Sequence, residues 1–177
     1  MSETVQQVID GMWADPYGRV FSRWNWKSAL FGAMIRGTIF FLVNRNTGRG
    51  VSAMLAEFCF FICVAGFFGA VTQNFRNAKP GWLARLTVIA LVIATTHSIE
   101  FVLHHWIVHT PRAVASSIAS TCFTMLSTTF SFFVMRRGAM VVGAEGDSFA
   151  NDMKRMPLLV FRFVAAPFRL LFGPGAL

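Results

Sequence analysis

His97, Glu100 and His104 stand at i, i+3 and i+7, a spacing that places all three on one face of a helix. His105 and His109 form an i, i+4 pair on a neighbouring face. Glutamate and histidine at such spacings can hold a metal, and histidine can ligate haem. The pattern stops short of a specific machine. A di-iron bundle draws carboxylates from several helices, and Glu57 is the one acid available from another apolar run. Repeated histidine boxes are absent, and all four histidines lie in one segment, so a bis-histidine haem would need a second subunit. Interfacial histidines with one buried polar pair are the favoured reading. A haem or metal at His97 and His104 ranks below it, and a proton or ion relay ranks last.

Arg36 lies in the middle of an apolar run and needs either a carboxylate or a route to water. Glu57 and Glu100 are the acids within reach, so Arg36, Glu57, His97, Glu100 and His104 form the candidate intramembrane polar cluster. Ser117, Thr121, Thr124, Thr128 and Ser131 fall at i, +4, +7, +11 and +14, a single hydroxyl stripe along a later run. Such a stripe lets helices approach and hydrogen-bond, and it can also line a polar path.

The elements that must position these residues follow from composition and patterning. The chain has 177 residues, 55% hydrophobic and 14% charged, against roughly 25% charged in an ordinary soluble domain. Twenty Phe against one Tyr suits hydrocarbon surroundings. Four apolar runs, 28–43, 51–72, 83–109 and 113–135, are expected to span a bilayer; the first is short and the third long enough to tilt. Residues 4–14 read as an amphipathic helix with Val5, Val8, Ile9, Met12 and Trp13 on one face, opened by a Thr4/Gln7 capping box and closed at Asp15-Pro16. Interleaved aromatic and basic residues over 17–27 read as an interface anchor. Residues 138–152 read as a small polar linker.

Residues 154–172 carry Arg155, Arg162 and Arg169 seven apart along an otherwise apolar segment. The spacing predicts an in-plane helix whose arginines contact lipid headgroups, with Pro157 in its first turn and Pro167 kinking or breaking it. Ala33/Gly37, Ala65/Gly69 and Gly66/Ala70 predict close helix contacts. Cys59, Cys63 and Cys122 read as buried free thiols.

The expected fold is therefore an all-α integral membrane protein with four transmembrane helices, an N-terminal amphipathic helix and a C-terminal interfacial helix. Its divisions are 1–27 (interfacial), 28–137 (bundle), and 138–177 (linker and membrane-surface segment). Arg19, Arg23, Lys27, Arg76, Lys79, Arg85, Arg136 and Arg137 outweigh Arg45, Arg49 and Arg112. This asymmetry places both termini on the cytoplasmic side, in a bacterial inner membrane. The net charge of +8 fits anionic lipid better than nucleic acid, because the basic residues flank apolar runs.

No phosphate loop, dinucleotide fingerprint, nucleophile elbow or HExxH is present, which argues against the common enzyme classes. The leading expectation is a non-catalytic subunit of a larger membrane complex, with lipids and other membrane subunits as its partners. The rivals are a proton, ion or lipid transport component built on the polar cluster, and a haem- or metal-binding redox protein.

Overall fold

The computed structural model describes residues 2–102 and 114–172, without the side chains of residues 40, 43, 47, 53, 56, 57, 60, 100–102, 114–120 and 168–172. Among the described residues the fold is all-helical. Helix α1 (Val5–Ala14) begins at the expected capping box: the Gln7 amide donates to Thr4 Oγ1 at 3.2 Å, and the Thr4 amide donates to Gln7 Oε1 at 2.8 Å. Val5 and Val8 are buried beneath it, whereas Trp13 is 84% exposed. A short π-turn (Tyr17–Phe21) leads to Asn25, whose side chain caps α2 (Trp26–Asn44) by accepting from the Ser28 amide at 3.0 Å.

Helix α2 turns through Arg45–Thr47 and Gly48, at φ 70°, into α3 (Gly50–Phe75). These two helices form an antiparallel hairpin in which small residues bring the backbones together. A Cβ on Gly37 would meet Met54 at 3.3 Å, one on Gly32 would meet Phe61 at 2.5 Å, and one on Gly69 would meet Asn25 at 2.8 Å. Ala33 and Ala70 are wholly buried and Ala65 nearly so, so the small-residue pairs read from the sequence lie at helix contacts.

Helices α4 (Gly81–Val102) and α5 (Val114–Met135) follow and pack against each other and against α3. Among the described residues one stretch, Gly81–Ile99, is both long and apolar enough to cross a membrane; Phe61–Phe75 and Thr121–Met135 are shorter apolar stretches.

Helix α5 ends in a Schellman turn. Gly138 takes φ 77°, its amide donates to the Met135 carbonyl at 3.0 Å, and the Ala139 amide donates to the Val134 carbonyl at 3.1 Å. The segment expected to be a linker then packs as structure. Ala139, Met140 and Val141 are buried, and Met140 adopts φ 58°, a left-handed conformation uncommon for a side-chain-bearing residue.

Helix α6 (Phe149–Phe172) starts five residues before the expected position. Ser148 caps it by accepting from the Asn151 amide at 3.2 Å. Pro157 consequently lies in the helix interior and not in its first turn, and Pro167, expected to kink or break the segment, does not break it: the helix runs on to Phe172.

Both flanking helices dock on the same end of the bundle. Helix α1 packs on Phe75, Ala84, Val88 and Phe132. Helix α6 packs through Met156 and Leu159 against Val134, Met140 and Phe31. A backbone pair ties the N-terminus to the α3–α4 loop: the Lys79 amide donates to the Glu3 carbonyl at 3.0 Å, and the Val5 amide donates to the Lys79 carbonyl at 3.2 Å. The cysteines differ from expectation: all three are free and exposed. An apolar run shows that a thiol lies in a helix but not which face it takes.

Asp147 precedes the α6 cap, and its Oδ1 accepts from the Asn151 side chain at 3.0 Å and the Ser148 amide at 2.7 Å. These bonds, led by that from Asn151, hold its carboxyl below the usual carboxylate range. A depressed folded-state pKa adds stability above the unfolded value, and that stability is lost as pH falls through the folded value. An NMR titration should find Asp147 below an ordinary aspartate, with Asn151→Ala moving it upward; an unmoved value would reject the assignment.

Candidate functional site

The hydroxyl stripe faces inward. On α5, Thr128 is buried and Thr121, Thr124 and Ser131 are half-buried, while Phe123, Met125 and Leu126 are exposed. The Ser117 side chain lies outside the described residues. Thr121 meets α4 directly: its Oγ1 lies 2.8 Å from His97 Nε2. The bond joins the histidine face of α4 to the hydroxyl face of α5, which the sequence presented as separate features. Which group donates depends on the imidazole tautomer.

Arg36 turns toward α3, its guanidinium carbon 5.2 Å from the centre of the Phe61 ring. The side chains of Glu57 and Glu100, and all of His104, His105 and His109, lie outside the described residues. The expected Arg36–carboxylate cluster and the haem or metal site at His97 and His104 both fall there in part. Among the described residues, no group of three His, Cys, Asp or Glu comes together in a metal-binding arrangement. On α6, Arg155 and Arg162 are exposed, and the Arg169 side chain lies outside the described residues.

The most heavily bonded polar site is one that sequence reasoning missed. Asn25 is fully buried at the start of α2. Its amide donates to the Gly66 carbonyl at 3.0 Å, and its Nδ2 donates to Gln73 Oε1 at 3.0 Å and to the Met140 carbonyl at 2.8 Å. Gln73 extends the network: its Nε2 donates to the Val142 carbonyl at 2.8 Å, and its Oε1 accepts from the Val142 amide at 3.0 Å. Two carboxamides thus substitute for secondary structure along 140–142. They also hold Met140 in its left-handed conformation.

Two residues farther into α2, Lys27 Nζ pairs with Asp152 Oδ2 at 2.8 Å and also donates to the Asp147 carbonyl. The two side chains are 4% and 0% exposed. Each lies in the first turn of its helix. The partial positive charge at a helix N-terminus favours Asp152 on α6 and disfavours Lys27 on α2, so the ion pair offsets an unfavourable placement. Asp152 Oδ1 has no partner among the described residues.

Beside this junction lies a cavity of about 800 Å³ lined by α1, residues 19–26, the end of α3 and residues 142–145. Arginines enter it but are largely matched by acids. Arg19 pairs with Glu3 at 3.0 Å, and Arg76 pairs with Glu145. One Arg76 nitrogen, Nη1, is buried without a partner among the described residues.

These groups form a charge-compensated lock at one end of the bundle. Part of it is visible in the sequence: Asn25 stands where a capping residue would precede an apolar run. The paired residues stand 48 to 125 positions apart, beyond any periodicity. No family model matches the chain, and neither a curated protein nor a solved structure matches it.

Removing one member of the buried pair, as in Lys27→Met or Asp152→Leu, should cost about 3–5 kcal/mol because a charge is left buried and alone. The double substitution should recover most of that loss. Chemical unfolding of the four proteins in detergent micelles checks this; additive losses would show that the pair is not coupled.

Proposed function

We propose that this chain is a non-catalytic integral membrane subunit that packs within a larger membrane protein complex. On this reading α2 to α5 are four transmembrane crossings, and α1 and α6 lie at the cytoplasmic interface of a bacterial inner membrane. The observation that carries the reading is the outer surface of α5, where Phe123, Met125 and Leu126 are exposed while Thr128 is buried together with Phe132 and Met135. Hydrocarbon accepts exposed apolar side chains and offers hydroxyls no hydrogen bonds, which favours turning Thr128 toward the bundle.

Other features support the membrane assignment. The stretch Gly81–Ile99 is apolar yet only 17% buried, a surface suited to cover by lipid or another subunit. The 19 residues of α2 rise about 28 Å, close to the thickness of a bilayer core, and α3 and α5 are longer. The side of the bundle with more flanking arginine and lysine is the one to which both amphipathic helices dock.

Membership of a complex is supported by the outward apolar faces on several helices. Ile35 and Ile39 on α2, Val51 and Leu55 on α3, and Leu86 and Leu91 on α4 are all exposed. A transport role is the second reading, favoured by the His97–Thr121 bond between α4 and α5. Histidine is the side chain whose ordinary pKa suits proton relay near neutrality.

An intact-mass spectrum of the protein released from native membranes in nanodiscs separates these readings. Several different chains in one particle are expected. The chain alone, or copies of itself, would overturn the complex. In a structural subunit His97→Ala should leave the assembly's activity unchanged, whereas abolished flux with intact assembly would establish the transport path.

A further inference from the structure

The positive charge of this protein is unevenly answered. Arg19, Lys27 and Arg76 each have a carboxylate partner. At the junction of α5 and α6 four exposed arginines, Arg136, Arg137, Arg155 and Arg162, make no ion pair among the described residues.

Their proximity has a structural cause. Arg137 lies two residues past the end of α5, directly before the Schellman glycine, so its carbonyl lacks a helical partner. Arg155 Nη2 supplies that bond at 2.9 Å, bringing a second guanidinium to the end of α5. The Arg137 guanidinium carbon lies 3.4 Å from the centre of the Phe133 ring, and Phe133 packs edge-on against Phe163 at 5.3 Å. Arg162 shares the exposed edge of α6 with Arg155, seven residues away, and lies close enough for its charge to act on Arg137. The guanidinium of Arg137 is held below its ordinary pKa by partial burial, then by the charges of Arg162 and Arg136. Asp147 feels the charge of Arg155, but its Oδ1 is occupied by Ser148 and Asn151.

The chemistry around the patch defines what would neutralise it. Along α6, next to the arginine edge, Leu158, Phe161 and Val164 are each more than half exposed. An occupant must therefore present an anion to the arginines and hydrocarbon to the helix face beside them.

The geometry points to a site for one anionic phospholipid, its phosphate held by Arg137, Arg155 and Arg162 and its acyl chain lying along Leu158 and Phe161. This rests on the membrane reading above and adds a specific ligand to it. Guanidinium groups match phosphate oxygens in a planar fork, and basic pockets between helices on the cytoplasmic side of a membrane suit anionic headgroups. The phospholipid also explains why α6 keeps arginine along one edge: protein covers Met156 and Leu159, lipid chains cover Leu158 and Phe161, and phosphate meets Arg155 and Arg162 between those faces.

The test uses the full chain in detergent micelles, titrated in parallel with phosphatidylglycerol, phosphatidylcholine and inorganic phosphate, with bound lipid counted by native mass spectrometry. Phosphatidylglycerol is expected to bind and to raise the unfolding temperature; the other two are not. Arg137→Gln/Arg162→Gln should weaken phosphatidylglycerol binding about fivefold for each guanidinium removed. Arg45→Gln/Arg49→Gln, which loses the same charge at the opposite end of the bundle, should bind as the unaltered protein does. Arg137→Lys/Arg162→Lys should retain part of the binding, showing that the glutamine variant loses charge and not its fold. Equal losses in both glutamine pairs would mean diffuse attraction and would overturn the site. An equal response to inorganic phosphate would replace the lipid with a free anion. Full solubility of the chain without detergent would defeat the membrane reading itself, whereas a detergent-dependent chain indifferent to phosphatidylglycerol would defeat the site alone.

Discussion

Lys27 carries its charge into a site almost closed to water, and the chain returns 125 residues later to meet it with Asp152. Around this pair, Asn25 and Gln73 take up the backbone of residues 140–142. The rest of the arrangement depends on this junction. It fixes the start of α2 against α3, orients the turn after α5, and sets where α6 begins. A buried ion pair is weak evidence for net stability, because desolvation cancels much of the attraction. Its value here is selective. An α6 displaced by one turn would still bury leucine and methionine, but it would leave Lys27 and Asp152 buried and unpaired. Apolar contacts alone do not distinguish those two positions so sharply.

The same logic explains why the two flanking helices are not interchangeable. Helix α1 meets the bundle through Val5 and Val8, with a capping box at one end and a two-bond backbone pairing to Lys79. Helix α6 meets it through an apolar face plus the buried acid. A short helix of 10 residues is a poor structure by itself, since nucleation costs more than so few hydrogen bonds return. Its pairing with the α3–α4 loop supplies the missing constraint. The longer α6 carries two internal prolines, so its continuity likewise depends on the surface beneath it.

Local chemistry was legible in the sequence and distant pairing was not. The capping box at Thr4 and the small-residue contacts are set by neighbours within a turn or two and lie where the pattern placed them, and the four apolar runs are helical over their described residues. Ser148 caps α6 within a stretch whose small, polar composition reads as a linker, so the local cap is hidden by its surroundings. The cysteines illustrate a different limit. Hydrophobicity identifies a segment suited to lipid, but inside and outside of a lipid-facing helix are both apolar, so Cys59, Cys63 and Cys122 gave no indication of their exposed positions.

The buried lock and the uncompensated arginines also divide the molecule's charge into two roles. Where an arginine or lysine must hold one segment of the chain against another, a carboxylate partner is encoded in the same chain, as Glu3, Glu145 and Asp152 show. Encoding such partners for Arg137, Arg155 and Arg162 would have required only a few acidic residues on the exposed edge of α6. Those positions instead hold Leu158, Phe161 and Val164. An edge that places hydrocarbon beside guanidinium is poorly matched to water and poorly matched to a dry protein core. It is well matched to the one environment in which anions and hydrocarbon meet along a plane, the headgroup boundary of a bilayer.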